Sequence, residues 1–247
     1  MAPSDAASTT LASMDRRHFL LKRLHSLSGV VPVGAFLLEH LWTNARAVYG
    51  RESFNRAVGE IQALPGLAYI ELFGIFLPLV FHAVYGLVIA AQGRPNVGSY
   101  GYTRNWLYLL QRVSGVVAFA FIGVHLWQYR VQKLLGVLPW EDQYAALMTD
   151  LATPRWFIAY FLGVTASVFH FANGLWLFGN TWGVTVSARS MKRSGVLCAA
   201  VGAALWVLGV NTLLHFSYRC GGVVPMPEQE LVQGNCHNPD DLPLRNP

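Results

Sequence analysis

Apolar residues run along this chain in long blocks, and the polar residues collect between them. Five blocks lie at about 24–44, 66–91, 106–128, 156–180 and 194–217, each bounded by charge, proline or glycine. A bilayer-spanning helix needs ~20 predominantly apolar residues, so each block is long enough to cross. In lipid every backbone N–H and C=O must be satisfied within the segment, which makes these blocks helices. The pattern predicts an all-α, polytopic membrane protein with five transmembrane helices. Three regions follow: a small, polar N-terminal segment, 1–15, expected to be disordered and cytoplasmic; a membrane domain, 16–217; and a C-terminal tail, 218–247, on the outer side.

Composition strengthens that picture. The 247 residues are 53% hydrophobic and 13% charged, with mean hydropathy +0.36; soluble domains carry roughly a quarter charged residues. The formal charge of +5 comes from basic residues scattered over the loops without a basic stripe, so nucleic acid is not an expected partner. With the N-terminus inside, nine basic residues fall on the inner side and eight on the outer. The cluster Arg16, Arg17, Lys22 and Arg23 before the first span favours that orientation. DRRHFLLK resembles a twin-arginine export signal. Flanking charge before an uncleaved first helix is the preferred reading, because no small-residue cleavage site ends the run. Cys198 reads as a packing residue, and Cys220 and Cys236 in the tail could pair on an oxidising side.

The spans contain histidines at two depths. His40, His82, His125 and His170 lie one to a span in the first four helices. An ionisable side chain inside a membrane is costly and is a functional-site hypothesis by default. At ~1.5 Å per residue, His40 and His125 lie within roughly 10 Å of the outer helix ends, and His82 and His170 roughly 15–18 Å from the inner ends. The sequence repeats in the same way. SGVVPVGAFLLEHLW (28–42) resembles SGVVAFAFIGVHLW (114–127), and FHAVYGL (81–87) resembles FHFANGL (169–175). A four-helix bundle with approximate two-fold symmetry would bring His40 to His125 and His82 to His170.

Two facing imidazoles in a bundle core are the ligand set of a six-coordinate haem iron. The four histidines are therefore the candidate axial ligands of two b haems. Gly86 and Gly174, four residues after a ligand and on its face, would leave room beside it for the macrocycle. Arg23, Ser28, Arg112 and Ser114, near the inner ends of the first and third helices, are candidate propionate donors. Each feature has a plainer alternative: an interhelical hydrogen bond for one histidine, snorkelling for Arg112, packing for the glycines. Four histidines at matched depths inside a repeat favour haem. His215 has no symmetric partner and is read as structural or close to a quinone. His25 is read as a propionate partner or an interfacial residue.

RRHFLLKRLHSLSGVVPVGAFLLEHL, IFLPLVFHAVYGL, SYGYTRNWLYLLQRVSGVV, FHFANGLWLF and TWGVTVSARS together resemble the dihaem cytochrome b membrane anchor of succinate dehydrogenase, in its single-subunit, five-helix form. The related quinol:fumarate reductase anchors share the layout. The resemblance covers about 17–217. It implies a flavoprotein subunit with FAD and an iron–sulfur subunit as partners, these cofactors lying in the partner subunits only. It also implies membrane lipid and a quinone as partners, and it is compatible with an oligomer of the complex. The bacterial cytoplasmic membrane is the implied location. The haem of His82 and His170 would be proximal to the iron–sulfur subunit and the haem of His40 and His125 distal. Menaquinone would be reduced near the outer face.

For the quinone proton, Glu71 and Glu60 are the candidates, with Glu39 beside His40 as a further one. Glu71 lies three turns before His82 and shares its face; its alternative is an interfacial carboxylate paired with an arginine. For Glu60 the alternative is a solvated loop acid. Proton-compensating fumarate reductases carry a glutamate two residues before the fourth ligand, where this chain has Val168, which favours succinate oxidation. The tail 218–247 departs from the short Gram-positive anchors and is read as an outer flap near the quinone end. An anchor of quinol:fumarate reductase and a stand-alone dihaem cytochrome b are the alternatives.

Overall fold

The computed structural model describes residues 5–137 and 143–218, with side chains from Arg16 to Val137 and from Gln143 to Ser217. Cys220, Cys236 and the tail beyond Tyr218 lie outside the described residues. No strand occurs among the described residues. The first span is two helices, α1 (Asp5–Val30) and α2 (Pro32–Ala45), followed by a 3-10 turn at Arg46–Tyr49. The backbone helix of α1 begins within the segment expected to be disordered. A short helix, α3 (Arg51–Gln62), follows outside the bundle. The remaining spans are α4 (Leu67–Ala91), α5 (Thr103–Leu134), α7 (Pro154–Thr181) and α8 (Ala188–Tyr218), with the short α6 (Gln143–Leu151) between α5 and α7. Among the described residues, five helical segments are thus long and apolar enough to cross a membrane, at the places the hydrophobic blocks predict.

Each interruption has a local cause. Pro32 lacks an N–H and clashes with the preceding turn, so the first span breaks at Val31. The two copies of the repeat differ in length across that break. His40 follows Gly29 by eleven residues, but His125 follows Gly115 by ten. One extra residue would rotate His40 about 100° around an ideal helix. The break falls within the stretch that holds the extra residue. In α4, a π-helical stretch, Ile70–Phe76, precedes Pro78, and in α5 another, Leu126–Val131, begins directly after His125. Such stretches are rare and concentrate at functional sites.

In the bundle α1 packs against α4 and α7, α5 against α7, and α8 against α7 and α2. Large apolar side chains cover the outside of the spans, among them Trp42, Phe73, Val80, Val84, Leu162, Val196 and Leu197. In water such a continuous apolar surface would drive association; facing lipid it is the low-energy surface. The main buried cluster lies instead at one end, where Ala47, Phe54, Tyr144, Met148, Leu151, Tyr160, Leu213 and Phe216 pack together. Helices α3 and α6 cap the bundle there. At that end His215 Nε2 meets the Tyr144 hydroxyl at 3.1 Å, a packing hydrogen bond between α8 and the cap.

Candidate functional site

The fold brings the four intramembrane histidines together in two pairs. The rings of His40 and His125 have centroids 5.6 Å apart at an interplanar angle of 76°. Those of His82 and His170 are 6.0 Å apart at 82°. Two imidazoles on one metal would have ring centres ~6 Å apart, from ~2 Å per metal–nitrogen bond and ~1 Å from nitrogen to ring centre on each side. Both separations suit a shared iron.

The inner pair is held by backbone. His82 Nδ1–H donates to the His25 carbonyl oxygen at 2.9 Å, and His170 Nδ1–H donates to the Gln111 carbonyl oxygen at 3.0 Å. His25 and Gln111 occupy equivalent places in the repeat, four residues before Gly29 and Gly115. Those two glycines are the close-approach points. A Cβ on Gly29 would collide with the His82 ring, and one on Gly115 would lie 2.7 Å from His170 Cε1. Sequence reasoning assigned neither glycine to the site, although both stand in the repeated SGVV. A bonded Nδ1–H fixes the tautomer and leaves Nε2 as the free, metal-binding nitrogen.

Gly86 and Gly174 lie close to the side chains of His25 and Gln111. A Cβ on Gly86 would lie 3.0 Å from His25 Nε2, and one on Gly174 3.3 Å from Gln111 Nε2. These glycines admit the side chains whose carbonyls hold the histidines. The His25 ring stacks on His82 at 4.1 Å. The Gln111 amide donates to the His170 carbonyl and accepts from Asn173 Nδ2 at 2.7 Å, which stitches α5 to α7.

The propionate candidates divide. Arg23 lies over the rings of Phe19 and Trp182, and Arg112 stacks at 3.4 Å on Tyr108 while donating to its carbonyl. The Nε atoms of both arginines are buried and have no hydrogen-bond partner among the described residues, as has Trp182 Nε1. Unpaired buried donors suit an anionic group at this end. Ser28 donates back to the His25 carbonyl at 3.0 Å, and Ser114 to the Gln111 carbonyl at 3.2 Å. Both serines are thus engaged with the carbonyls of the histidine clamps.

The outer pair is held differently. His125 Nδ1–H donates to the Tyr160 hydroxyl at 3.1 Å, and that hydroxyl donates to Gln128 Oε1 at 3.0 Å. The His40 ring touches Phe36 and His125 and has no hydrogen-bond partner among the described residues. Glu71 pairs with Arg130, joining the two π-helical stretches. Glu39 accepts from Thr43 Oγ1 at 2.5 Å. Glu60 is exposed on α3. Val168, two residues before His170, is buried.

Residues 93–209 match the family described as the succinate dehydrogenase/fumarate reductase transmembrane subunit. Over 200 residues the chain is 42% identical to the succinate dehydrogenase cytochrome b558 subunit of Bacillus subtilis (strain 168), which covers 81% of this chain and 98% of that protein. The chain belongs to the succinate dehydrogenase/fumarate reductase transmembrane subunit family. It is a multi-pass, all-helical member, and the matched stretch of the family contains His125, His170 and the carbonyl clamp of the α5–α7 half of the repeat.

Proposed function

We propose that this chain is the membrane anchor and cytochrome b subunit of a succinate dehydrogenase, carrying electrons from an iron–sulfur subunit through two b haems to menaquinone. The observation that carries the reading is the double pairing of histidines, with ring centroids 6.0 and 5.6 Å apart, inside a family of succinate dehydrogenase and fumarate reductase membrane subunits. Haem, when bound, supplies a one-electron couple at each of two depths in the bundle.

The chain's own residues bind, orient and shield. His82 and His170 would hold the inner haem, nearer the iron–sulfur subunit, and His40 and His125 the outer one. The carbonyls of His25 and Gln111 keep Nδ1 of the inner ligands protonated and Nε2 available. Arg23 and Arg112 carry positive charge and buried, unpaired Nε donors that would suit propionates. The apolar spans keep water away from both levels.

Quinone chemistry also needs protons and hydrogen bonds. Besides the Glu71–Arg130 pair, the outer half of α5 presents Gln128 Nε2, Arg130 Nε and Gln132 Oε1, all buried and without hydrogen-bond partners among the described residues. This concentration of unpaired polar atoms supports menaquinone reduction near the outer end, with Glu71 as the proton-handling group and Glu60 too exposed to be the first choice. The N-terminus is cytoplasmic in this reading, the membrane is the bacterial cytoplasmic membrane, and the flavoprotein subunit oxidises succinate there. Buried Val168, where proton-compensating fumarate reductases carry glutamate, favours this direction of turnover.

Purification of the tagged chain from its membrane tests the proposal. Two haems b per chain by pyridine haemochrome, with covalent flavin and iron–sulfur in the same peak, is the expected result. Two haems without flavin or iron–sulfur would make it a stand-alone cytochrome. No haem, from a haem-sufficient host, would return the histidines to packing.

A further inference from the structure

The two histidine pairs differ in what holds their Nδ1 atoms, and that difference assigns a role to the side chains around His125. We infer that Tyr160, Gln128, Tyr129 and Asp150 are positioning residues that set the electron-donating strength of the His125 imidazole and so the reduction potential of the outer haem. The inference rests on reading His125 as an axial ligand.

Tyr160 and Gln128 are each 4% exposed, and Asp150 is 7% exposed. His125 Nδ1–H donates to the Tyr160 oxygen, whose own proton goes to Gln128 Oε1. Beside this chain of bonds the Tyr129 ring lies 5.4 Å from His125 and 6.4 Å from Tyr160. The Tyr129 hydroxyl donates to Asp150 Oδ2 at 2.7 Å. A carboxylate on α6 in the cap is thereby tied into the surroundings of the ligand on α5.

Hydrogen bonds in series polarise one another, and the effect grows where water is excluded. A hydroxyl whose proton is drawn towards Gln128 is a better acceptor for the imidazole N–H. An imidazole whose N–H is drawn away is a more basic ligand. A more basic ligand stabilises the oxidised iron and lowers its potential. The Asp150 carboxylate acts in the same direction, because negative charge nearby favours the more positive iron. The inner pair supplies an internal control. Its Nδ1 acceptors are the His25 and Gln111 carbonyls, which no substitution at these four positions alters.

The experiment is a potentiometric titration of the two haem waves in the full chain purified with its partner subunits, for the wild type, Tyr160→Phe and Asp150→Asn. Tyr160→Phe is expected to keep two haems, leave the inner wave in place and raise the outer wave. The expected shift is about tenfold in the reduced-to-oxidised ratio, ~59 mV for one electron. Asp150→Asn is expected to move the outer wave in the same direction by less. Two haems with both waves unmoved in both variants would overturn the inference. Should Tyr160→Phe lose the outer haem, Asp150→Asn decides, since Asp150 is separated from His125 by Tyr129. A wild-type chain with fewer than two haems, or His125→Ala retaining both, would refute the ligand assignment itself and is recognised without any shift in potential.

Discussion

The inner and outer histidine pairs sit in the same bundle, on helices related by the same repeat, yet they are held by different kinds of partner. His82 and His170 lean on backbone carbonyls presented one turn before a glycine, so the clamp is part of the helix path. His125 leans on a tyrosine within a side-chain network that reaches the cap, and His40 on ring packing alone. A backbone clamp fixes geometry and is indifferent to side-chain identity. A side-chain clamp can be tuned residue by residue. On the proposed reading the repeat builds two similar sites and makes the outer one the more adjustable, at the end where the proposed quinone chemistry lies.

The largest expected effect breaks the comparison at its base. His170→Leu and His125→Leu should each lower haem content from two to one per chain. Succinate–quinone turnover should fall at least ~100-fold, since even groups that only orient a ligand cost up to 100-fold. If either variant still carries two haems by pyridine haemochrome, that pair is misassigned.

A somewhat smaller effect isolates the inner clamp. Gly115→Leu puts a side chain where the His170 ring lies, and overpacking of this kind costs about 1–3 kcal/mol. Inner-haem occupancy should fall while the outer haem stays. Gly123 lies on the same helix, and a Cβ added there would meet nothing within 4 Å, so Gly123→Ala should leave the haem spectrum unchanged. Equal effects of the two substitutions would mean that the close approach at Gly115 has no special role.

Glu71→Gln sharpens the outer side. Loss of a positioned proton carrier should lower quinone turnover about 100-fold, with haem content and reduction of an artificial acceptor by succinate intact. Glu60→Gln should change turnover less than about twofold by the same assay, as an exposed carboxylate contributes little. The reverse order would move the proton step from the π-helical junction to α3.

The smallest effect belongs to Ser114→Ala. Its Oγ is 3.5 Å from His170 Nδ1, which already donates to the Gln111 carbonyl. A redundant contact at that distance is worth less than the ~1 kcal/mol of an ordinary hydrogen bond. The inner-haem potential in Ser114→Ala should therefore move less than the outer-haem potential in Tyr160→Phe. A larger inner shift would erase the distinction between rigid and tunable clamps.

By itself the sequence determined the membrane class, the five spans and the repeat. Apolar block length and the need to satisfy backbone groups in lipid act locally, and both are written in linear order. It also singled out the four histidines and predicted which would meet, because a two-fold repeat relates positions without coordinates. Only tertiary structure decided what surrounds them. The carbonyl clamps come from backbone atoms, which every residue has and no motif marks. Gly29 and Gly115 matter because another helix passes there, and Gly86 and Gly174 proved to face His25 and Gln111 for the same reason. Tyr160 and Asp150 lie 35 and 25 residues from His125 in the chain, so their network exists only once α6 and α7 fold against α5. Glu71 shows the limit from the other side: its helix was legible, but its partner Arg130, 59 residues away, depended on how two interrupted helices come together.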